Sequence, residues 1–461
     1  METTSAPARV RAPAALALSA LLPSLGTSIA NVGLPDVAAG LDTSFAEVQW
    51  VVIAYLLAMT ALVVGAGRLG DLAGRRRVLV AGTAVFTLAT LLCGLAPTLP
   101  LLVAARALQG VGAAAMMALT TALVGESVPP ERTGRVMGLL GTTSAIGTAL
   151  GPALGGVLVA ALGWRALFLA GVPAGVLALV LVVRALPGSA PERAGQRFDA
   201  AGTALLAVTL GAYALAMTVD GGWYGLVVAA VGLALFVVVE RRVPTPLLTL
   251  SVLRDPAFSA SLVAGALVST VVMTTLVVGP FHLARALGAA PVVVGLVMSA
   301  GPVVAALAGV PAGRATDRFG TSAVVVAGLV GVLVGAVGLS LAPASAGVLG
   351  YVLPLVVVTS GYALFQAANT TSVMRGAGAG RRGLVSGVLT LSRNLGLITG
   401  ASVMGAVFAA AAGDVTTAAA TDVARATRWT FGVAVGLVAL ALAVVVGARL
   451  WTSRGNAGRR G

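Results

Sequence analysis

Charged residues cut the chain into long apolar stretches. Uncharged runs cover 12–35, 48–67, 136–164, 166–183, 200–219, 221–239 and 429–448. A bilayer core of about 30 Å is crossed by about 20 helical residues at 1.5 Å rise each, so every one of these runs predicts a membrane-spanning helix. Residues 78–105 must break near Ala96, Pro97 and Pro100, which ends a third span there and lets a fourth run to about Gly125 with Arg106 inside it. Residues 256–284 and 286–313 predict two more. Residues 319–374 carry no charge and divide at 343–347 into two helices, and a thirteenth span covers 383–411, interrupted only by Arg393. The pattern therefore predicts fourteen spans and an all-α integral membrane protein. Strands of a membrane barrel would be about 10 residues long and alternate in polarity, whereas these runs are twice that length and apolar on every face. The first run follows Arg9 and Arg11 and resembles a signal peptide in position. Its 24 uncharged residues exceed the usual apolar stretch of about 7–15, so it is read as the first span.

Composition agrees: 58% of the 461 residues are hydrophobic and 10% charged, against about 25% charged in soluble domains. All 29 basic residues are arginine. With the N-terminus inside, 23 of them fall in the tails and even-numbered connections, four on the opposite side (Arg165, Arg285, Arg425 and Arg428), and Arg106 and Arg393 within spans. The positive-inside rule then places both termini in the cytoplasm. The net charge of +14 is thus a product of topology and does not point to nucleic acid. Without lysine there is no GxxxxGK[ST] phosphate loop and no Schiff base. One histidine, His282, builds neither a histidine metal cluster nor a His-centred triad, and one cysteine, Cys93, forms no internal disulfide. No enzyme is indicated. His282 stands near the end of the ninth span as either a pH-sensitive group or an interfacial polar residue.

The chain repeats itself. Gly67, Arg68, Asp71 and Gly74 recur at an offset of 246 as Gly313, Arg314, Asp317 and Gly320. Gly112, Gly134, Gly138, Gly147, Gly151 and Gly156 recur at an offset of 249 as Gly361, Gly383, Gly387, Gly396, Gly400 and Gly405. Two six-helix halves, 1–186 and 255–451, with two linking helices at 199–240, account for both offsets.

GRLGDLAGRRR at 67–77, RALQGVGAA at 106–114 and GTALGPALGG at 147–156 resemble three signature motifs of the major facilitator superfamily, the last being its antiporter motif. With the two extra central helices, the chain is similar to the fourteen-helix drug:proton antiporter family over essentially its whole length. The resemblance extends to Trp164, Arg165 and Phe168, to Phe198 and Asp199, and to Arg393 with Gly396. It implies the major facilitator fold of two pseudo-symmetric halves and proton-coupled efflux of small lipophilic drugs or antibiotics by alternating access. It further implies no cofactor, the proton gradient as energy source, and small molecules, protons and the lipid bilayer as partners of a monomer. The arginine-only, alanine-rich composition suggests a GC-rich bacterium, hence a bacterial inner membrane. A dedicated exporter of one endogenous metabolite or self-made antibiotic, and an importer or uniporter, are the alternatives.

Asp71 lies amid four arginines, Arg75 among them, and is either a topology anchor or, as the resemblance implies, part of an ion-paired latch. Leu72 stands where the family often has a basic residue; the second copy keeps Asp317 followed by Arg318. A cation inside a span costs about 2.5–3.5 kcal/mol on insertion scales, so Arg106 must face protein or water, with Gln109 and Gly110 on its helical face. The resemblance associates it with proton coupling. Arg393, beside Asn394, is either functional or a packing device. Gly147, Gly151 and Gly155 recur every four residues, and with Pro152 and Gly156 form a close-packing element that the second half does not repeat: Thr399, Ala401 and Met404 replace Leu150, Pro152 and Gly155. In the family this element marks exporters. Thr27, Asn31, Tyr55, Met117, Thr274, Gln366 and Asn369 are candidates for a substrate cavity and equally for packing. Relatives often carry an acid in a first-span pattern like LDTTIVNVALP; here LGTSIANVGLP at 25–35 puts Gly26 in its place. Asp36, Glu126 and Asp71 remain as acids for protonation, and polyvalent cations are not indicated as substrates.

Overall fold

The computed structural model describes residues 6–127, 130–186, 200–218, 222–242, 255–376, 382–413, 415 and 417–457, and every regular element among them is helical. Fourteen spans are present among the described residues. They are carried by α1 (Ala6–Val32), α2 (Trp50–Ala73), α3 (Arg75–Leu95), α4 (Leu99–Ser127), α5 (Pro130–Leu162), α6 (Gly171–Ala185), α7 (Ala200–Thr218), α8 (Trp223–Arg242), α9 (Pro256–Phe281), α10 (Pro291–Phe319), α11 (Thr321–Leu341), α12 (Gly347–Gly376), α13 (Arg382–Thr399) and α14 (Ala420–Ala457). Short pieces complete some of them: Phe45–Val48 before α2, Ala166–Leu169 before α6, a π-helical turn His282–Ala286 after α9, and Gly400–Met404 with Gly405–Ala412 after α13. Phe198, Asp199 and Asp220 lie outside the described residues.

Local chemistry sets the boundaries. Ser44 and Glu47 form a capping box before α2, and Asp255 caps α9 by accepting from the amides of Ala257 and Phe258. Between α2 and α3 the chain reverses at Gly74 (φ +96°), and between α10 and α11 at its repeat partner Gly320 (φ +81°). Both need the left-handed backbone that glycine adopts without strain.

The chain forms two compact units, Met1–Leu247 with Ala290–Ser299, and Leu248–Ala289 with Ala300–Gly461. In the first, α5 lies along α1, α4 packs on α2 and α3, and α6 on α1 and α3. Helices α7 and α8 pair, and α7 rests on α2, where the Trp50 indole donates to Thr218 Oγ1 at 3.1 Å. In the second, α13 and α14 pack on α9, and α12 and α14 on α11. The glycine repeat marks the lines where helix backbones meet. A Cβ at Gly112 would stand 2.5 Å from the Phe86 amide nitrogen of α3; at its partner Gly361 it would stand 2.5 Å from that of Val332 in α11. A Cβ at Gly147 would approach the Leu21 carbonyl oxygen of α1 to 2.7 Å. Gly147→Val is therefore expected to pry α5 off α1 and lower the melting temperature of the purified protein by several degrees. An unchanged melting curve would remove this glycine from the packing argument.

Candidate functional site

The first unit is organised around one buried cation. Arg106 rises from the N-terminal third of α4 and is fully buried. Its Nε donates to the Val51 carbonyl of α2 at 2.7 Å and its Nη1 to the Gly26 carbonyl of α1 at 3.1 Å and to Gln109 Oε1, three residues along α4. Gln109 Nε2 in turn donates to Thr90 Oγ1 of α3 at 2.7 Å. The guanidinium lies 4.2 Å from the ring centre of Tyr55 and 5.9 Å from that of Phe168, both also buried, and the Tyr55 hydroxyl donates to the Pro23 carbonyl at 2.8 Å. One side chain thereby joins α1, α2 and α4 directly and α3 through Gln109. Among the described residues no carboxylate reaches it, and Nη2 has no hydrogen-bond partner. The charge is held by carbonyl dipoles, a carboxamide and an aromatic face, a neutral cage for a permanent cation. Gln109 at helical spacing was visible in the sequence; the carbonyls of Gly26 and Val51 and the Thr90 hydroxyl had no signal there, because any residue supplies a carbonyl.

The 67–77 loop holds a real ion pair. Asp71 Oδ1 accepts from Arg75 Nη2 at 2.9 Å and Nε at 3.1 Å, across the turn from the end of α2 to the start of α3. In the second unit Asp317 pairs at 3.6 Å with Arg375 of α12, both exposed, while its sequence neighbour Arg318 lies over the Phe319 ring. Arg393 is half-buried with Nε unpartnered, and the adjacent Asn394 is buried with Oδ1 unpartnered.

The antiporter motif packs along α1. Gly151 faces Ser28, whose hydroxyl donates to the Gly147 carbonyl at 3.3 Å; Gly155 faces Ile29; Pro152 is buried in α5. Gly156 meets the 290–299 segment of the same unit, where a Cβ would come 2.5 Å from the Pro291 carbonyl oxygen. The substrate-cavity candidates are more dispersed. Thr27 donates to the Pro23 carbonyl and Asn31, with Oδ1 unpartnered, to that of Thr27; Tyr55 belongs to the Arg106 cage; Met117 is half-buried in α4. In the second unit Thr274 donates to the Thr270 carbonyl, Asn369 to that of Ser261, and Gln366 is half-buried three residues before Asn369. Asp36 sits in the short helix Leu34–Gly40 after α1, and burial raises its carboxyl above the ordinary aspartate value, a backbone hydrogen bond opposing in part. The side chain of Glu126 lies outside the described residues. His282 opens the π-helical turn, stacked on Tyr351 with ring centres 5.7 Å apart and Nδ1 unpartnered.

Comparison with known proteins decides the family. The sequence profile of the Major Facilitator Superfamily matches residues 16–401 and 261–460. The chain belongs to the major facilitator superfamily. This transporter is 35% identical over 396 residues to the multidrug resistance protein Stp of Mycobacterium tuberculosis, covering 84% of this chain and 73% of that one. It is 28% identical to the methylenomycin A resistance protein of Streptomyces coelicolor, covering 94% and 90%. Among solved structures, an inward-facing bacterial homolog of the human lysosomal transporter Spinster superposes with a TM-score of 0.72 at 16% identity, over 96% and 97% of the two chains, and so shares the fold. The chain is a multi-pass membrane transporter of small molecules, with relatives in multidrug efflux and antibiotic resistance, and not an enzyme.

Proposed function

We propose that this transporter exports small lipophilic drugs or antibiotics in exchange for protons, as a monomer in a bacterial inner membrane with both termini cytoplasmic. The halves 1–186 and 255–451, linked by 199–240, provide the alternating access. The observation that carries the reading is the buried Arg106 cage. A cation held without a counter-carboxylate in a low-dielectric interior makes proton occupancy of any nearby acid and passage of a charged substrate interdependent. Asp36, raised by burial toward the protonated form, together with Asp71 and Glu126, supplies the acids. Outward direction rests on the antiporter motif and on the multidrug resistance relative Stp. No cofactor is required, the proton gradient being the energy source. The Asp71–Arg75 pair, with Asp317 in the second copy, serves as the latch between states. Being half-buried and only four residues apart in the chain, the first pair adds at most about 1 kcal/mol to stability. Asp71→Asn is thus expected to leave the melting temperature nearly unchanged while slowing drug flux severalfold. Loss of melting temperature with normal flux would reduce the pair to an anchor.

The test is flux in proteoliposomes under an imposed pH gradient, with a fluorescent lipophilic cation and a neutral antibiotic as probes. Gradient-dependent flux of either supports the reading; flux that ignores the gradient would make the protein a uniporter. The relative that confers resistance to methylenomycin A favours a second reading, a dedicated exporter of one antibiotic, which a narrow substrate profile in the same assay would reveal.

A further inference from the structure

The first unit contains a cavity of about 80 Å³ that opens between α5 and α6. Its floor is Gly26 of α1, Phe86 and Thr90 of α3 and Gln109 of α4; Leu154 and Ala174 flank the mouth. It arises because α5 follows α1 whereas α6 packs on α1 and α3, leaving a gap floored by α1, and because Gly26 has no side chain to fill it. The mouth lies on an apolar outer face: Leu154 is 44% exposed, and Leu150, Val157, Val176 and Val180 around it are exposed as well. On membrane spans that face meets lipid tails.

We propose that this cavity binds the end of a lipid acyl chain, which inserts from the bilayer between α5 and α6 and packs beneath the Arg106 cage. Three observations select this occupant. The space is too small for a drug-sized molecule, which needs about 300 Å³ or more. Its two polar lining residues are already engaged: Thr90 Oγ1 donates to the Phe86 carbonyl at 2.6 Å and accepts from Gln109 Nε2, while Gln109 Oε1 accepts from Arg106. A polar drug group or a water would therefore find little to bond, whereas an alkyl terminus asks for nothing but contact. Finally, the bilayer supplies alkyl chains at the mouth at the concentration of a solvent. The consequence is a lipid that shields the Gln109–Arg106 pair from water. The inference is independent of proton coupling and of the direction of transport.

The experiment uses the full chain in phosphatidylethanolamine–phosphatidylglycerol vesicles doped with a phosphatidylcholine that carries a diazirine at one acyl-chain end, irradiated and mapped by mass spectrometry. Label is expected on residues 22–29 and 86–90, well inside the unit. It should fall severalfold in Ala174→Phe and, separately, in Leu158→Trp, each of which fills the cavity, and persist in Val180→Phe on the exposed face of α6. Melting curves identify which filling variants are folded, and either one suffices. Label spread evenly over the outer faces of α5 and α6 and indifferent to filling would overturn the proposal. So would displacement of the label by saturating ethidium, which would assign the cavity to the transported molecule instead.

Discussion

Arg106→Ala is expected to reduce pH-gradient-driven efflux in proteoliposomes at least tenfold, a loss of about 1.4 kcal/mol or more in the transport barrier. The truncation removes the donor from the Val51 and Gly26 carbonyls and from Gln109 Oε1, all inside the unit. The two carbonyls keep the amides four residues on in their own helices, but Gln109 Oε1 is left buried without its donor at a cost of about 1–3 kcal/mol, so a lower melting temperature should accompany the loss of flux. Arg106→Lys separates the two effects. An ammonium restores the charge but cannot span acceptors on α1, α2 and α4 from one plane, nor lie flat against Tyr55. If the charge alone matters, Arg106→Lys recovers gradient-driven flux; if the joining of three helices matters, it recovers neither flux nor melting temperature. Full gradient-dependent flux in a well-folded Arg106→Ala transporter would sink the coupling role.

How much of this was legible beforehand depends on the length scale of each signal. The fourteen spans came from runs of about 20 apolar residues, a constraint imposed by bilayer thickness that no tertiary packing overrides. The internal repeat was legible because glycines at helix crossings cannot be replaced: Gly112 and Gly361 each leave no room for a Cβ against the neighbouring backbone. The Arg106–Gln109 pair was legible because partners three residues apart share a helix face, and the Asp71–Arg75 pair because the acid lies amid four arginines of one short stretch. What the sequence did not disclose depends on which helices meet. Asp317 finds Arg375, 58 positions away, rather than Arg318 beside it. The cage around Arg106 is built largely from backbone carbonyls and an aromatic face, which carry no residue-type signature. The cavity beneath it comes from an absent side chain at Gly26, a deficit that only coordinates convert into volume.

That deficit also makes the sharpest change available to the substrate profile. Gly26 stands where the first-span pattern that the sequence resembles often has an acid, and a Cβ there would lie 3.7 Å from the Tyr55 hydroxyl and 3.3 Å from the Phe86 ring, which must yield by a few tenths of an ångström. Its carbonyl already accepts from Arg106 Nη1, and the cavity of about 80 Å³ offers space for a carboxylate. Gly26→Asp is therefore expected to seat an acid against the guanidinium and neutralise its charge. For a cationic substrate about 10 Å away at an effective dielectric of about 20, removing one unit of repulsion is worth about 1.7 kcal/mol, a factor of roughly 10 to 20. The ratio of ethidium flux to neutral-antibiotic flux should rise by that order in Gly26→Asp and stay raised when Arg106→Gln is added, because the added change removes the cation itself and leaves the carboxyl with no partner to hold it ionised. The same variant should exclude the acyl-chain label, since the carboxyl occupies its cavity. An unchanged flux ratio in a folded Gly26→Asp transporter would show that the Arg106 charge does not reach the substrate path, and the absence of a first-span acid would then say nothing about which compounds are carried.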